Sequence, residues 1–254
     1  MPNQLIIPTA EPFYFPGNRT GVLLVHGFTG TPKEMRWMGE YLAGEGFSVA
    51  CPRLAGHATR LSDLARTRWT DWLASVEDGL YMLSGSTDRV FIAGLSMGGA
   101  LALLAAARYP LAGVITMSAP YALQDDWRLN YLSLIQWLQP EVGKGPADWH
   151  NPEAAKDHVA YPVYPTAGVA QLAQLLKTMR ACLPEVRIPA LLFHSHADQG
   201  VAPENMERIY AHLGSADKHK HWLENSGHVM TREPERELVF QMATQFIRRV
   251  SNQF

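Results

Sequence analysis

The sequence predicts an α/β fold in which a mostly parallel β-sheet is covered by helices on both faces. Two observations support this prediction: short apolar runs alternate with longer segments of helical periodicity, and the runs are apolar throughout. Continuous apolar runs are typical of parallel strands, which are buried on both faces. A chain of 254 residues suits one such unit, because single α/β domains commonly reach roughly 250 residues.

The first strand and the first helix lie close to the N-terminus. The run 21–26, Gly-Val-Leu-Leu-Val-His, predicts a buried strand. A Thr-Pro-Lys-Glu segment then predicts a helix start, because Thr31 can cap the third helical N–H, Pro32 fits the first helical position and Glu34 can reach back to the cap. A second short strand is predicted at 47–51.

The central part of the chain continues the alternation. A loop rich in Pro, Gly and His leads to a helix that begins near Thr70. Its apolar stripe consists of Leu73, Val76, Leu80 and Leu83. The runs 89–94 and 114–118 predict the third and fourth strands, and a helix rich in Ala and Leu is predicted between them at 100–108.

The alternation stops after the fourth strand and resumes with the apolar run 188–193. The interval 121–186 is predicted to be an inserted lid of small helices, with residues 1–120 and 187–254 forming the core. The lid contains a helical stretch from Thr166 and three tryptophans, Trp127, Trp137 and Trp149. A last strand near 221–223 and a long helix near 233–250 complete the pattern.

Composition and charge exclude several classes of protein. Lys and Arg number 22 against 24 Asp and Glu, which gives a formal net charge of -2 without runs of like charge; binding to nucleic acid is therefore not expected. Cys51 and Cys182 do not have the spacing of metal ligands, and we expect neither a metal nor another cofactor. No apolar run reaches the about 18 residues of a membrane span. We expect a cytoplasmic location.

The segment Gly94-Leu95-Ser96-Met97-Gly98 matches the pattern G-x-S-x-G, with a predicted strand before it and a helix after it. In this context the strand turns so sharply into the helix that only glycine fits on either side of the serine. The N-terminus of the helix then points its free N–H groups at the reacting centre. Ser96 is therefore the predicted catalytic nucleophile.

A serine hydroxyl needs a base, and ten histidines compete for this role. His228 follows the last predicted strand directly, so its side chain can reach the carboxyl edge of the sheet. His194 and His196 end the preceding strand, beside the expected acid. Five others are expected on helices or polar surface, in contact with solvent: His150, His158, His212, His219 and His221. We predict that His228 is the base.

The acid that orients this base should follow a strand that lies between the serine and the histidine in the chain. Asp198 comes directly after the run 188–193 and occupies that place. Asp217 lies in a polar turn only 11 residues before His228 in the sequence, and Glu224 belongs to a strand end. We predict Asp198 as the acid, and a simple turn-forming role for this aspartate is the alternative.

A tetrahedral intermediate needs two N–H donors for its oxyanion. Met97 follows the nucleophile and supplies one of them, and Phe28, in the turn after the first strand, can supply the other. The Phe28 ring would also line the acyl pocket. His26 and His57 are expected to brace loops rather than carry protons.

These residues resemble the α/β-hydrolases, and within them the small bacterial carboxylesterases and monoacylglycerol lipases. The similar segments extend over nearly the whole chain and comprise residues 22–32, Pro52-Arg53-Leu54, Gly56-His57, Asp71-Trp72, residues 94–99, Pro165-Thr166, Gln171-Leu172-Ala173, Asp198 and Gly227-His228. The resemblance implies an α/β-hydrolase fold and a serine esterase. It also implies that the lid at 121–186 sets the preferred acyl-chain length and leaving alcohol.

One segment departs from the glycerol-selective relatives. In those relatives a lid carboxylate is expected near the alcohol, in the segment that here reads Ala-Tyr-Pro-Val-Tyr-Pro at 160–165. That segment contains no acid, and the nearest acids are Glu153 and Asp157. Monoacylglycerol selectivity is therefore an alternative rather than the first prediction.

Apolar residues of the lid, together with Phe28, are candidates for an acyl-chain tunnel. They are Trp127, Trp137, Leu172, Leu176 and Met179. For each of them plain packing is the alternative. A tunnel predicts faster turnover of medium-chain esters than of acetyl esters.

The sequence thus predicts a serine carboxylic-ester hydrolase that cleaves short- to medium-chain acyl esters of small molecules through an acyl-enzyme on Ser96. One alternative is a monoacylglycerol lipase. The other is a ligand sensor that keeps the hydrolase pocket but has negligible multiple turnover. Docking of the apolar lid residues 132–138 on a membrane is not favoured, because that stretch has no basic residues. The oligomeric state is left open.

Overall fold

A seven-stranded sheet forms the centre of the computed structural model, which describes residues 5–123, 139–145 and 148–252. The strands of these residues are β1 (Phe13–Phe15), β2 (Thr20–Val25), β3 (Ser48–Cys51), β4 (Arg89–Leu95), β5 (Gly113–Met117), β6 (Glu141–Gly143), β7 (Val163–Pro165), β8 (Ala190–Ser195) and β9 (Lys218–Leu223). The order in the central sheet is β1-β3-β2-β4-β5-β8-β9. Neighbouring strands are parallel except β1, which is antiparallel to β3. The predicted fold class is confirmed.

Helices cover both faces of this sheet. They are α1 (Arg36–Gly44), α2 (Leu61–Arg66), α3 (Trp69–Ser84), α4 (Met97–Ala106), α5 (Pro152–Lys156), α6 (Thr166–Cys182), α7 (Glu204–His212) and α8 (Arg236–Ser251). Apolar side chains of α1 and α8 pack on one face, and those of α3 and α4 pack on the other. In the described ranges, no helix combines the length and the apolar character that crossing a bilayer requires.

Most predicted strands lie within a few residues of the observed ones. The run 89–94 falls inside β4, and the run 114–118 overlaps β5. Strands β1, β6 and β7 are not predicted from the sequence, because a strand of three residues is too short for a periodic signal. β6 and β7 pair as an antiparallel ribbon, so the inserted segment contains more than the predicted helices.

The predicted capping of the first helix by its own side chains is wrong. Residues 32–35 form a 3-10 turn, and the Thr31 side chain makes no cap hydrogen bond. Its hydroxyl instead donates to the Val159 carbonyl at 3.1 Å. Glu34 is buried and turns toward the loop after β2, where it accepts the Gly27 N–H. Tertiary contacts with distant segments therefore replace the local cap.

The inserted segment leaves the sheet after β5 and returns to it at β8. Where it is described, α6 packs against α4 through a stripe that includes Leu175 and Leu176. A second connection is ionic: the Arg232 guanidinium, 1% exposed, donates to Asp157 Oδ2 at 2.6 Å, and Lys33 donates to Asp157 Oδ1 at 2.5 Å. These contacts hold the segment against the core. The boundaries 121–186 stay a prediction.

Candidate active site

Ser96 lies at the sharp turn between β4 and α4. Its backbone has φ 56° and ψ −122°, an unfavourable conformation for a residue with a side chain. Its N–H donates to the Met117 carbonyl at 2.8 Å, which holds the turn against β5. A Cβ added to Gly98 would lie 2.1 Å from the Val25 oxygen, and one added to Gly94 would lie 2.1 Å from the Gly98 oxygen. The glycines of the motif are therefore required by close backbone contacts.

His228 and Asp198 form a hydrogen-bonded pair at the same edge of the sheet. His228 follows β9 and Asp198 follows β8, and the His228 Nδ1 atom lies 3.0 Å and 2.9 Å from the two Asp198 carboxylate oxygens. When Nδ1–H donates to the carboxylate, Nε2 is the ring nitrogen left to accept a proton. A Cβ on Gly200 would lie 3.0 Å from the His228 ring, so the backbone after Asp198 supports that ring directly.

The surroundings of this pair favour its charged form. Burial by itself raises the pKa of Asp198, but the charge of His228 and the hydrogen bonds from His194 and from the backbone outweigh it and hold that pKa well below its usual range. Burial by itself lowers the pKa of His228, but the charge and hydrogen bond of Asp198, followed by the charge of Asp148, raise it above its usual value. The carboxylate is therefore well placed to stabilise an imidazolium.

The turn Gly27–Gly30 lies directly beside the serine. Its closing hydrogen bond runs from the Gly30 N–H to the Gly27 carbonyl at 3.2 Å. A Cβ on Gly27 would lie 3.4 Å from the Ser96 Cβ atom. Met97 is the first residue of α4, so its N–H has no acceptor within the helix. The two predicted oxyanion donors thus lie on the two segments that flank Ser96.

His26 and His57 are fully buried behind this turn. The His26 Nε2 atom accepts the Leu54 N–H at 3.2 Å, and its Nδ1–H donates to the Gly27 carbonyl at 3.0 Å. Burial lowers the pKa of His57 to about 4. Both rings are held by backbone atoms, as bracing residues would be.

A cavity of about 560 Å³ opens above Ser96 and His228. One part of its wall is apolar and includes Phe28, Leu123, Tyr164, Val169 and Leu172. The Phe28 ring stacks on the Tyr164 ring, with centroids 5.7 Å apart. The other part is polar and includes Glu34, Lys144, Asp148, His158 and Gln199. The cavity therefore has separate apolar and polar walls next to the serine.

The residues predicted for acyl binding separate into three groups. Phe28 and Leu172 line the cavity. Leu176 and Met179 do not: they are buried in the core, because the apolar stripe of α6 continues past the cavity onto α4. Trp127 and Trp137 lie outside the described residues.

The polar wall is the part of the site that the sequence does not predict. His158, expected on the solvated surface, is partly buried against Trp149, and this burial lowers its pKa to about 4. Asp148 Oδ2 accepts the backbone N–H groups of His228 and Gln199, both at 2.9 Å. No local pattern signals either residue, because each lies in an irregular part of the inserted segment. Glu34 carried a signal, but it was that of a helix cap.

The chain is similar in sequence and structure to known lipases and esterases. Residues 17–235 match the Hydrolase_4 family, described as serine aminopeptidase S33. The chain is 36% identical over 244 residues to a thermostable monoacylglycerol lipase of Bacillus sp. (strain H-257), with 95% of both chains covered. It is 28% identical over 247 residues to a carboxylesterase of Bacillus subtilis (strain 168), which covers 96% of this chain and 98% of the relative. A solved structure from work on LipS and LipT, two metagenome-derived lipolytic enzymes, matches with a TM-score of 0.91 and 36% identity. The match covers 96% of this chain and 99% of the solved chain.

Proposed function

Since the chain belongs to the Hydrolase_4 family, described as serine aminopeptidase S33, we propose that its active site cleaves carboxylic esters through an acyl-enzyme on Ser96. The protein is a carboxylic-ester hydrolase of the α/β-hydrolase fold. Its substrates are small esters with short- to medium-chain acyl groups. The observation that carries the assignment of residues is the His228–Asp198 contact, together with the position of His228 and Ser96 in the lining of the same cavity.

The reaction proceeds in two halves. Ser96 Oγ attacks the acyl carbonyl while His228 Nε2 takes its proton, and the N–H groups of Phe28 and Met97 hold the oxyanion. His228 then gives the proton to the leaving alcohol, and the acyl group stays on Ser96. In the second half His228 deprotonates a water that attacks the acyl carbonyl of the acyl-enzyme. The bond between Ser96 Oγ and the acyl group then breaks, the carboxylic acid leaves, and His228 returns the proton to Ser96 Oγ. Asp198 keeps Nδ1 of His228 protonated throughout.

The segment 121–186 acts as a lid over the acyl chain. Its residues Val169 and Leu172 form the apolar wall together with Phe28. Each buried CH₂ adds about 0.8 kcal/mol of binding free energy. The value of kcat/KM for 4-nitrophenyl esters should therefore be higher with four- to eight-carbon acyl groups than with acetyl. A strict acetyl preference in initial rates would contradict this proposal.

A monoacylglycerol lipase is the second candidate function. The segment 160–165 has no acid, but Glu34 and Asp148 bring carboxylates to the polar wall from other parts of the chain. Together with Lys144 they offer hydrogen-bonding groups to a leaving alcohol that carries hydroxyls. The 36% identity with a monoacylglycerol lipase supports the same candidate.

The two functions are separated by substrates that share an acyl group. Initial rates on 1-monooctanoylglycerol and ethyl octanoate differ only in the alcohol, so their ratio isolates its recognition. A ratio of kcat/KM above about tenfold, equal to about 1.4 kcal/mol, identifies a monoacylglycerol lipase, whereas a ratio near one identifies a general carboxylesterase. A single stoichiometric burst on every ester would contradict both and indicate a ligand sensor.

The activity should fall on the acidic side of neutrality. Protonated His228 cannot act as a base, and the carboxylates around it raise its pKa above the usual value of about 6.5. We therefore expect kcat/KM to decrease as the pH falls through a value higher than 6.5. The measurement is kcat/KM from pH 5 to 9, with the fold checked at each pH by circular dichroism. A flat profile between pH 5 and 8 would refute the role of His228.

A further inference from the structure

The Glu34 carboxylate is buried inside the turn Gly27–Gly30. Its side chain is 6% exposed, and Oε2 accepts the Gly27 N–H at 3.0 Å. A Cβ added to Gly30 would lie 2.2 Å from Glu34 Oε1, so the turn wraps the carboxylate with no room for a side chain. The catalytic steps described above make no use of this carboxylate.

The turn is anchored on both sides of Phe28. On one side Gly27 is held by the Glu34 carboxylate, and on the other side the Gly30 N–H donates to the Gly27 carbonyl. The backbone of Glu34 is itself fixed, because Thr231 Oγ1 donates to its carbonyl at 2.7 Å. Gly27 in turn lies against the Ser96 side chain. A continuous set of hydrogen bonds thus connects the core to the peptide that carries the Phe28 N–H.

Several charged groups surround this carboxylate without pairing closely with it. Among the described residues, His158 Nε2 is the nearest basic atom to Glu34, at 3.7 Å from Oε1. Burial raises the pKa of Glu34, and the positive charges of Lys144, His228 and Arg232 act in the opposite direction. The contact that satisfies the carboxylate is therefore the Gly27 N–H, and not an ion pair.

We propose that Glu34 is a positioning residue, which holds the turn Gly27–Gly30 so that the Phe28 N–H points at the oxyanion formed on Ser96. This inference rests on the proposed ester hydrolysis. Without the Glu34 carboxylate, the buried Gly27 N–H would lack its acceptor. The turn would then shift, and the Phe28 N–H would move with it. Because the oxyanion develops only on the way to the transition state, loss of the Glu34 hydrogen bond should lower kcat and hardly change KM.

Two nearly isosteric variants separate the hydrogen bond from the volume of the side chain. Glu34→Gln keeps an oxygen that can accept the Gly27 N–H, whereas Glu34→Met keeps the length and offers only a weakly accepting sulfur. Glu40→Gln and Glu40→Met are the matched controls, since Glu40 is exposed on α1. Thermal unfolding of each variant checks that it folds.

We expect Glu34→Met to lower kcat for 4-nitrophenyl octanoate by about 10- to 100-fold, with KM changed less than about threefold. Glu34→Gln should restore kcat to within about threefold of the wild type. Glu34→Gln removes a negative charge that raises the pKa of His228. In this variant the acidic limb of the kcat/KM profile should therefore move to lower pH. An octyl trifluoromethyl ketone, which forms a tetrahedral oxyanion on the serine, should lose affinity in Glu34→Met by about the factor lost in kcat.

Three results would overturn this inference. One is a Glu34→Met variant with wild-type kcat, and another is an equal loss in Glu34→Gln and Glu34→Met, which indicates a packing role. The third is a loss confined to monoacylglycerol with 4-nitrophenyl octanoate unaffected, which would make Glu34 a residue for the alcohol. If the wild type shows no ester hydrolysis that depends on Ser96, the proposed function fails as well. If it does hydrolyse esters, any of the three results overturns the role of Glu34 alone.

Discussion

Replacement of Ser96 by alanine is expected to lower kcat for 4-nitrophenyl octanoate by about 10⁴- to 10⁶-fold, because no nucleophile remains to form the acyl-enzyme. The residual rate would come from binding and from the oxyanion donors. Alanine meets the same backbone constraint as serine at φ 56°, so the fold should persist. The measurement is kcat by initial rates, together with covalent labelling by a fluorophosphonate.

Ser62→Ala is the matched control for this variant. Ser62 is exposed on α2 and does not line the cavity, so its replacement should leave both kcat and labelling unchanged. A Ser96→Ala protein that kept more than about a tenth of wild-type turnover would remove Ser96 from the proposed mechanism. Labelling of that protein at another serine would identify the true nucleophile.

Replacement of Asp198 by asparagine should lower kcat by about 10⁴-fold, although it changes only one atom. Asp198 Oδ1 accepts the N–H groups of Gly200 and Val201, both at 2.8 Å, and an asparagine oxygen would keep these bonds. Its NH₂ group would then replace Oδ2, which at 2.9 Å is the nearer of the two carboxylate oxygens to His228 Nδ1. An NH₂ group donates, so His228 would carry its proton on Nε2 and could not accept one from Ser96.

Asp217→Asn tests whether any aspartate between the serine and the histidine would give the same loss. Asp217 accepts from the Arg249 guanidinium on the surface and has no contact with His228. We expect it to keep wild-type kcat. Equal losses in the two variants, or an Asp198→Asn variant with near-normal kcat, would contradict the assignment of the acid. Steady-state kinetics at the pH optimum, with unfolding curves for both proteins, provide the measurement.

Local patterns were sufficient for most of the fold and for the acid, base and nucleophile candidates. The buried strands β2, β4, β5 and β8 appear as continuous apolar runs, and β4 leads into the glycine-flanked Ser96. Parallel strands bring their carboxyl ends to one edge, so residues directly after β8 and β9 could be expected near Ser96. The three-residue strands carry too little periodicity to be found in this way.

The sequence by its own pattern establishes the parallel sheet, the turn at Ser96 and the order of the residues that follow β4, β8 and β9. These features depend on residues that are neighbours along the chain and on the pattern of apolar residues, and both can be seen in a single sequence. The tertiary structure alone decides the polar wall, where Glu34, Asp148 and His158 come from separate segments. Whether such a side chain contacts solvent, caps a helix or lines a cavity depends on what packs over it. The Glu34 carboxylate accepts the Gly27 N–H and does not form the predicted helix cap.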